Sequence, residues 1–144
     1  MLTNLLLGFF TISACLLLQS ILLMAAMNYY RRHQYLVDSP SFVASLLVIN
    51  SVLMLLVLGN LAQVAIWAVL FQWLGEFDRF ADAFYHSAVN FATLGYGDIV
   101  MSDQRKLLGA IEALNGVLMI GISTAALMSA FQDALRKTLR ARGS

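Results

Sequence analysis

The sequence contains little charge, one cysteine and one proline. Only 12% of its 144 residues are Asp, Glu, Lys or Arg, whereas soluble domains average about 25%. The net charge of +1 gives no basic surface of the kind that binds nucleic acid. The lone Cys15 excludes an intrachain disulfide framework and a cysteine-rich metal site. Because no glycine-rich phosphate loop or nucleophile–base pair stands out, we predict neither an enzyme nor a cofactor-binding protein.

Long apolar runs are what the sequence does contain. Its residues are 60% hydrophobic, with a mean hydropathy of +0.78. A helix needs about 20 apolar residues to cross a bilayer. Three runs meet this requirement, at residues 5–27, 41–71 and 107–135. The first run is followed, not preceded, by basic residues, so we interpret it as a retained helix and not as a signal peptide. The sequence predicts an all-α membrane protein.

A shorter segment, residues 79–91, lies between the second and third runs. At about 1.5 Å of rise per residue, a helix of this length cannot cross a bilayer. We predict a re-entrant helix that enters and leaves on the same side, where protein or water satisfies the backbone around it.

The basic residues predict the orientation. Six lysines and arginines follow the first and third runs, whereas three, at positions 79, 105 and 106, lie on the opposite side. Since cytoplasmic loops carry the excess of Lys and Arg, we expect the N-terminus outside and the C-terminus in the cytoplasm. We expect this multi-pass protein in the plasma membrane.

The hexapeptide TLGYGD, Thr93–Asp98, follows the short helix. Its two glycines can adopt positive φ at little cost. A short helix, this hexapeptide and a long apolar helix together resemble the pore of potassium channels, whose filter reads TVGYG. The resemblance covers about residues 42–135. It divides the chain into a peripheral helix and cytoplasmic loop (1–40), a pore domain (41–137) and a short cytoplasmic tail (138–144).

The resemblance implies a function for each residue of the hexapeptide. The carbonyl oxygens of four residues would replace the water shell of K⁺: those of Thr93, Leu94, Gly95 and Tyr96. The Thr93 hydroxyl would also contribute to the ion path. Leu94 stands where the family usually has valine. The resemblance assigns support of this filter to Gly97, Asp98, His86 and Glu112. A ring of carbonyls needs four copies, so it implies a homotetramer in the lipid bilayer. K⁺ is then a permeant ligand and not a cofactor.

The third run carries the predicted cavity and gate. Gly116 is interpreted either as a flexible hinge or as a packing contact, and the sequence leaves both open. By the resemblance, the cavity and gate residues are Val117, Ile120, Thr124, Met128 and Gln132. Glu112 lies inside the apolar run, where ionisable residues are rare and usually functional. We expect it behind the filter with His86 or Asn90 as partner; the alternative is a carboxylate at the membrane interface.

Two other functions remain open beside a passive potassium channel. One is a weakly selective cation channel, because selectivity also depends on how rigidly the filter is held. The other is a non-conducting scaffold or accessory subunit. A secondary transporter would be expected to show inverted repeats, and three spans show none.

Overall fold

The computed structural model describes residues 1–37 and 42–143, in which all regular structure is helical. The helices of this part of the chain are α1 (Leu2–Arg32), α2 (Gln34–Val37), α3 (Phe42–Trp73), α4 (Phe80–Phe91) and α5 (Lys106–Gly143). Among them α1, α3 and α5 are long and apolar enough to cross a membrane. The prediction of an all-α protein with three spans is confirmed.

Two helices extend further than the sequence predicted. α1 continues to Arg32, and the short α2 follows, so much of the segment predicted as a loop is helical. α5 continues to Gly143, past the predicted end near residue 135. Its added residues are rich in Leu, Ala, Arg and Lys, which form helices well, and basic residues stabilise a helix C-terminus. Pro40 and Ser41, expected at the start of the second span, lie outside the described residues.

The contacts divide the chain into two compact units. Unit 1 comprises residues 1–19 and 60–120, and unit 2 comprises residues 20–59 and 121–144. The hydrophobic core of unit 1 contains fully buried side chains from three helices, including Cys15 of α1, Trp67 of α3 and Leu108 of α5. α4 contributes Phe91 to this core. The predicted division into a peripheral helix, a pore domain and a tail remains a prediction.

One turn and one pair of hydrogen bonds place the segments around α4 in unit 1. α3 ends at Trp73 and is followed by a turn at Gly75, whose φ of +75° suits glycine, and Glu76 N–H donates to the Phe71 carbonyl (3.1 Å). The Glu76 carboxylate then accepts hydrogen bonds from Ser102 N–H (2.8 Å) and Ser102 Oγ (2.9 Å). The chain before α4 is thereby joined to the chain before α5.

The N-terminal part of α1, up to Gln19, belongs to unit 1. The Asn4 side chain donates to the Gln104 carbonyl (2.6 Å) and accepts from Arg105 Nη1 (2.7 Å). Deeper in the unit, Gln63 Nε2 of α3 donates to Gln19 Oε1 of α1 (2.8 Å), and both side chains are buried. Amide hydrogen bonds between helices stabilise packing inside a membrane, where water offers no alternative partner.

Unit 2 has a separate core and a polar cluster. Ala26, Val52 and Ala134 are among its buried residues. Tyr30 Oη of α1 donates to Asp133 Oδ2 of α5 (2.9 Å), and Lys137 Nζ lies 2.8 Å from the same oxygen. The cluster fastens α1 to α5 within this unit.

Candidate functional site

The end of α4 determines where the hexapeptide begins. Thr93 N–H donates to the Asn90 carbonyl (2.8 Å) and Leu94 N–H donates to the Val89 carbonyl (2.9 Å). These two bonds are those of a Schellman motif, which ends a helix with one residue in the left-handed conformation. That residue is Thr93, with φ of +58°. Glycine usually fills this place, and a β-branched residue there is strained. The left-handed conformation of Thr93 determines the direction in which the chain leaves α4.

Positive φ recurs at every second residue of the hexapeptide. The φ values are +58° at Thr93, +60° at Gly95 and +73° at Gly97. Two of the three positions are glycine, for which this conformation costs little. Among the described residues, no hydrogen bond ends on the carbonyl oxygens of residues 93–96. A row of unpaired carbonyls on a chain with this alternation can serve as ligands for a cation.

Leu94 and Tyr96 are more than half exposed in the single chain. Their exposed fractions are 54% and 65%. The resemblance to potassium-channel pores implies that these two side chains point away from the ion path and brace the segment. Any such packing has to come from outside the single chain.

Asp98 and Tyr85 form a hydrogen bond between the end of the hexapeptide and α4. Tyr85 Oη donates to Asp98 Oδ2 at 2.7 Å. The bond lowers the pKa of Asp98 below its ordinary value, because it stabilises the carboxylate, and it raises the pKa of Tyr85. Asp98 was predicted as a support residue, whereas sequence reasoning missed Tyr85. No spacing pattern in the sequence relates these two residues.

His86 lies where the sequence analysis expected a support residue, beside the chain that leaves the hexapeptide. Its Nδ1 is 2.8 Å from the Ile99 carbonyl, and Asn90 Nδ2 lies 2.8 Å from its Nε2. A carbonyl only accepts, so Nδ1 carries the proton and Nε2 accepts from the amide. The ring is buried against Phe71 and Phe77, with ring centroids 5.7 and 5.0 Å away. The hydrogen bond from His86 therefore joins α4 to the segment that follows the hexapeptide.

Glu112 is completely buried, and Ser87 is its hydrogen-bond partner. Of the expected partners, His86 or Asn90, the Asn90 side chain also interacts with Glu112, while its amide lies 2.8 Å from His86 Nε2. Ser87 Oγ also lies 2.8 Å from the Val64 carbonyl oxygen of α3. Within the described residues, Glu112 Oε2 has no hydrogen-bond partner. The sequence analysis placed Glu112 behind the filter but missed Ser87, because a single serine in an apolar helix gives no distinctive signal.

Gly116 of α5 lies against the end of α4. A methyl group on Gly116 would sit 2.0 Å from the Phe91 carbonyl oxygen. At Gly121, by contrast, a methyl group would meet no atom within 4 Å. Of the two interpretations left open by the sequence, the geometry favours close packing at Gly116.

The predicted cavity and gate residues are all exposed in the single chain. Val117 and Ile120 are exposed in unit 1, and Thr124, Met128 and Gln132 are exposed in unit 2. One chain does not enclose them, and their assigned functions remain predictions.

These features define a class of protein: a multi-pass helical membrane protein with a short helix and a segment of unpaired carbonyls between two spans. A family model described as an ion channel matches residues 54–133, which is more than half of the chain and includes α4 and the hexapeptide. The chain therefore belongs to this ion channel family. Comparisons with curated proteins and with solved structures gave no match.

Proposed function

We propose that the protein is a potassium-selective channel that conducts K⁺ passively through the carbonyls of residues 93–96. The observation that carries the proposal is the alternation of positive φ at Thr93, Gly95 and Gly97, on a segment whose carbonyls are unpaired. K⁺ must lose its water shell to pass, and neutral carbonyl oxygens replace that shell without holding the ion too tightly.

The position of α4 favours a cation at the start of this row. The negative end of a helix dipole is its C-terminus, and α4 ends immediately before Thr93. We place α4 as a re-entrant helix, because its 12 residues are too few to cross the membrane. Asp98, exposed beyond the carbonyl row, then lies at the outer mouth and attracts cations.

The assembly we propose is a homotetramer around one pore. One chain supplies one row of carbonyls, and a ring needs several copies related by rotation. The exposed Leu94 and Tyr96 side chains would gain packing partners from neighbouring copies. Val117, Ile120 and Thr124 would face the cavity below the filter, and Met128 and Gln132 would line the gate. We place the protein in the plasma membrane with its N-terminus outside and its C-terminus in the cytoplasm.

Reconstituted protein tests this proposal. Reversal potentials under K⁺ and Na⁺ gradients should follow the K⁺ equilibrium potential, and barium should block the flux. Gly95→Ala should abolish the preference for K⁺, because alanine is strained at positive φ. Gly121→Ala is the matched control, since that site has open space. Equal permeability to K⁺ and Na⁺ in the unmodified protein would support a weakly selective channel instead, and no flux at any voltage or pH would support a scaffold.

A further inference from the structure

The Ser87 hydroxyl connects three helices of unit 1. Its oxygen lies 2.8 Å from the Val64 carbonyl oxygen of α3 and within hydrogen-bond distance of Glu112 Oε1 of α5. Ser87 itself belongs to α4 and is fully buried, as is Glu112. A single hydroxyl thus faces one oxygen atom on each of two neighbouring helices.

Counting protons at this hydroxyl determines which group donates. A serine hydroxyl carries one hydrogen and two lone pairs, so it forms one full hydrogen bond as a donor. A peptide carbonyl can only accept. If Glu112 were ionised it could also only accept, and one of the two contacts would then join two acceptors without a full proton between them. Both contacts are satisfied when Glu112 holds a proton on Oε1.

The surroundings of Glu112 favour the same state. Within the described residues it forms no ion pair, and its second oxygen accepts no hydrogen bond. A carboxylate at such a site would have lost its water without gaining a cation, which is very costly. A neutral carboxylic acid leaves only one uncharged carbonyl oxygen unpaired, at much smaller cost.

We propose that Ser87 is a positioning residue for the carbonyl row. We propose also that Glu112 is protonated and that its hydrogen bond holds the Ser87 side chain in place. Glu112 Oε1–H donates to Ser87 Oγ, and the Ser87 hydroxyl donates to the Val64 carbonyl. The relay fixes α4 against α3 and α5 less than two turns before Thr93. The protonation of Glu112 does not depend on ion selectivity, whereas the positioning role of Ser87 rests on the proposed function.

Infrared spectroscopy of the reconstituted full chain at neutral pH tests whether Glu112 is protonated. The sequence contains two glutamates, Glu76 and Glu112. Glu76 accepts two hydrogen bonds from Ser102 and serves as the comparison glutamate. With ¹³C-labelled glutamate, we expect an isotope-shifted band of a protonated carboxyl, lost in Glu112→Gln and retained in Glu76→Gln. If the ¹³C label shifts only the bands of ionised carboxylates, Glu112 is not protonated and the proposal is wrong.

Variants of the relay test the positioning role. Glu112→Gln keeps an N–H donor for Ser87 and should retain the wild-type reversal potential. Glu112→Met and Ser87→Ala each remove one bond of the relay and should lose the preference for K⁺, in protein that still elutes as the wild-type assembly. Wild-type reversal potentials in both of these variants would overturn the positioning role. A non-selective wild type would refute the proposed function but leave the infrared result standing.

Discussion

Gly116 and Phe91 lie in backbone contact, which places the first third of α5 directly against the last turn of α4. A β-carbon at residue 116 would come within 2.0 Å of the Phe91 carbonyl oxygen. Since Phe91 is two residues before Thr93, the contact determines where the hexapeptide begins relative to α5.

Gly116→Ala should therefore disturb both stability and conduction. Overpacking usually costs about 1–3 kcal/mol, and a clash with backbone falls at the upper end, because no side chain can rotate away. We expect a lower thermal midpoint in detergent and loss of K⁺ flux. Gly121→Ala introduces the same methyl group into open space on the same helix and should leave both unchanged. Equal behaviour of the two variants would contradict the packing interpretation and favour a hinge.

Tyr85→Phe should raise the pKa of Asp98 towards its ordinary value. The hydrogen bond from Tyr85 depresses the pKa of the folded state. Its stabilising contribution is therefore present above the pKa of the unfolded chain and is lost as the pH falls through the lower, folded value. A ¹³C NMR titration of the aspartate carboxyls measures the change. Asp103, whose pKa is lowered by Lys106, is the internal control; an Asp98 titration that does not change in Tyr85→Phe would refute the role of the bond.

Thr93→Gly should separate stability from function. Glycine removes the left-handed strain of about 1–2 kcal/mol at the end of α4, so the thermal midpoint should rise. It also removes the hydroxyl that we assign to the ion path, so K⁺ flux should fall. A variant that is less stable than the wild type would show that Thr93 makes packing contacts worth more than the strain.

Asp133→Ala should destabilise the protein more than Tyr30→Phe does. Asp133 accepts from both Tyr30 and Lys137, whereas Tyr30→Phe removes only one bond. Loss of one such bond costs about 0.5–1.5 kcal/mol. Chemical unfolding in detergent, with the double variant completing a cycle, measures the coupling between the two residues. Additive effects would mean that the Tyr30 hydroxyl and the Asp133 carboxylate do not interact.

The sequence predicted the spans and the short helix, because run length and hydropathy fix both. It also predicted positive φ at Gly95 and Gly97, since few residues other than glycine adopt it cheaply. Thr93 was not predicted to share this conformation, because its φ follows from the cap of α4 and not from residue type. The partners of Glu112, Asp98 and Gly116 depend on how helices meet, which one sequence does not encode in any local pattern.

The exposed Leu94 and Tyr96 have a consequence for biogenesis. In the homotetramer that we propose, a newly inserted subunit would present these exposed side chains to lipid or water, and they would gain packing partners only when copies associate. Maturation and assembly would then be one event. A damaged copy that still associates would silence the intact copies beside it, and co-expression of a Gly95→Ala chain with the wild type would reveal this dominance.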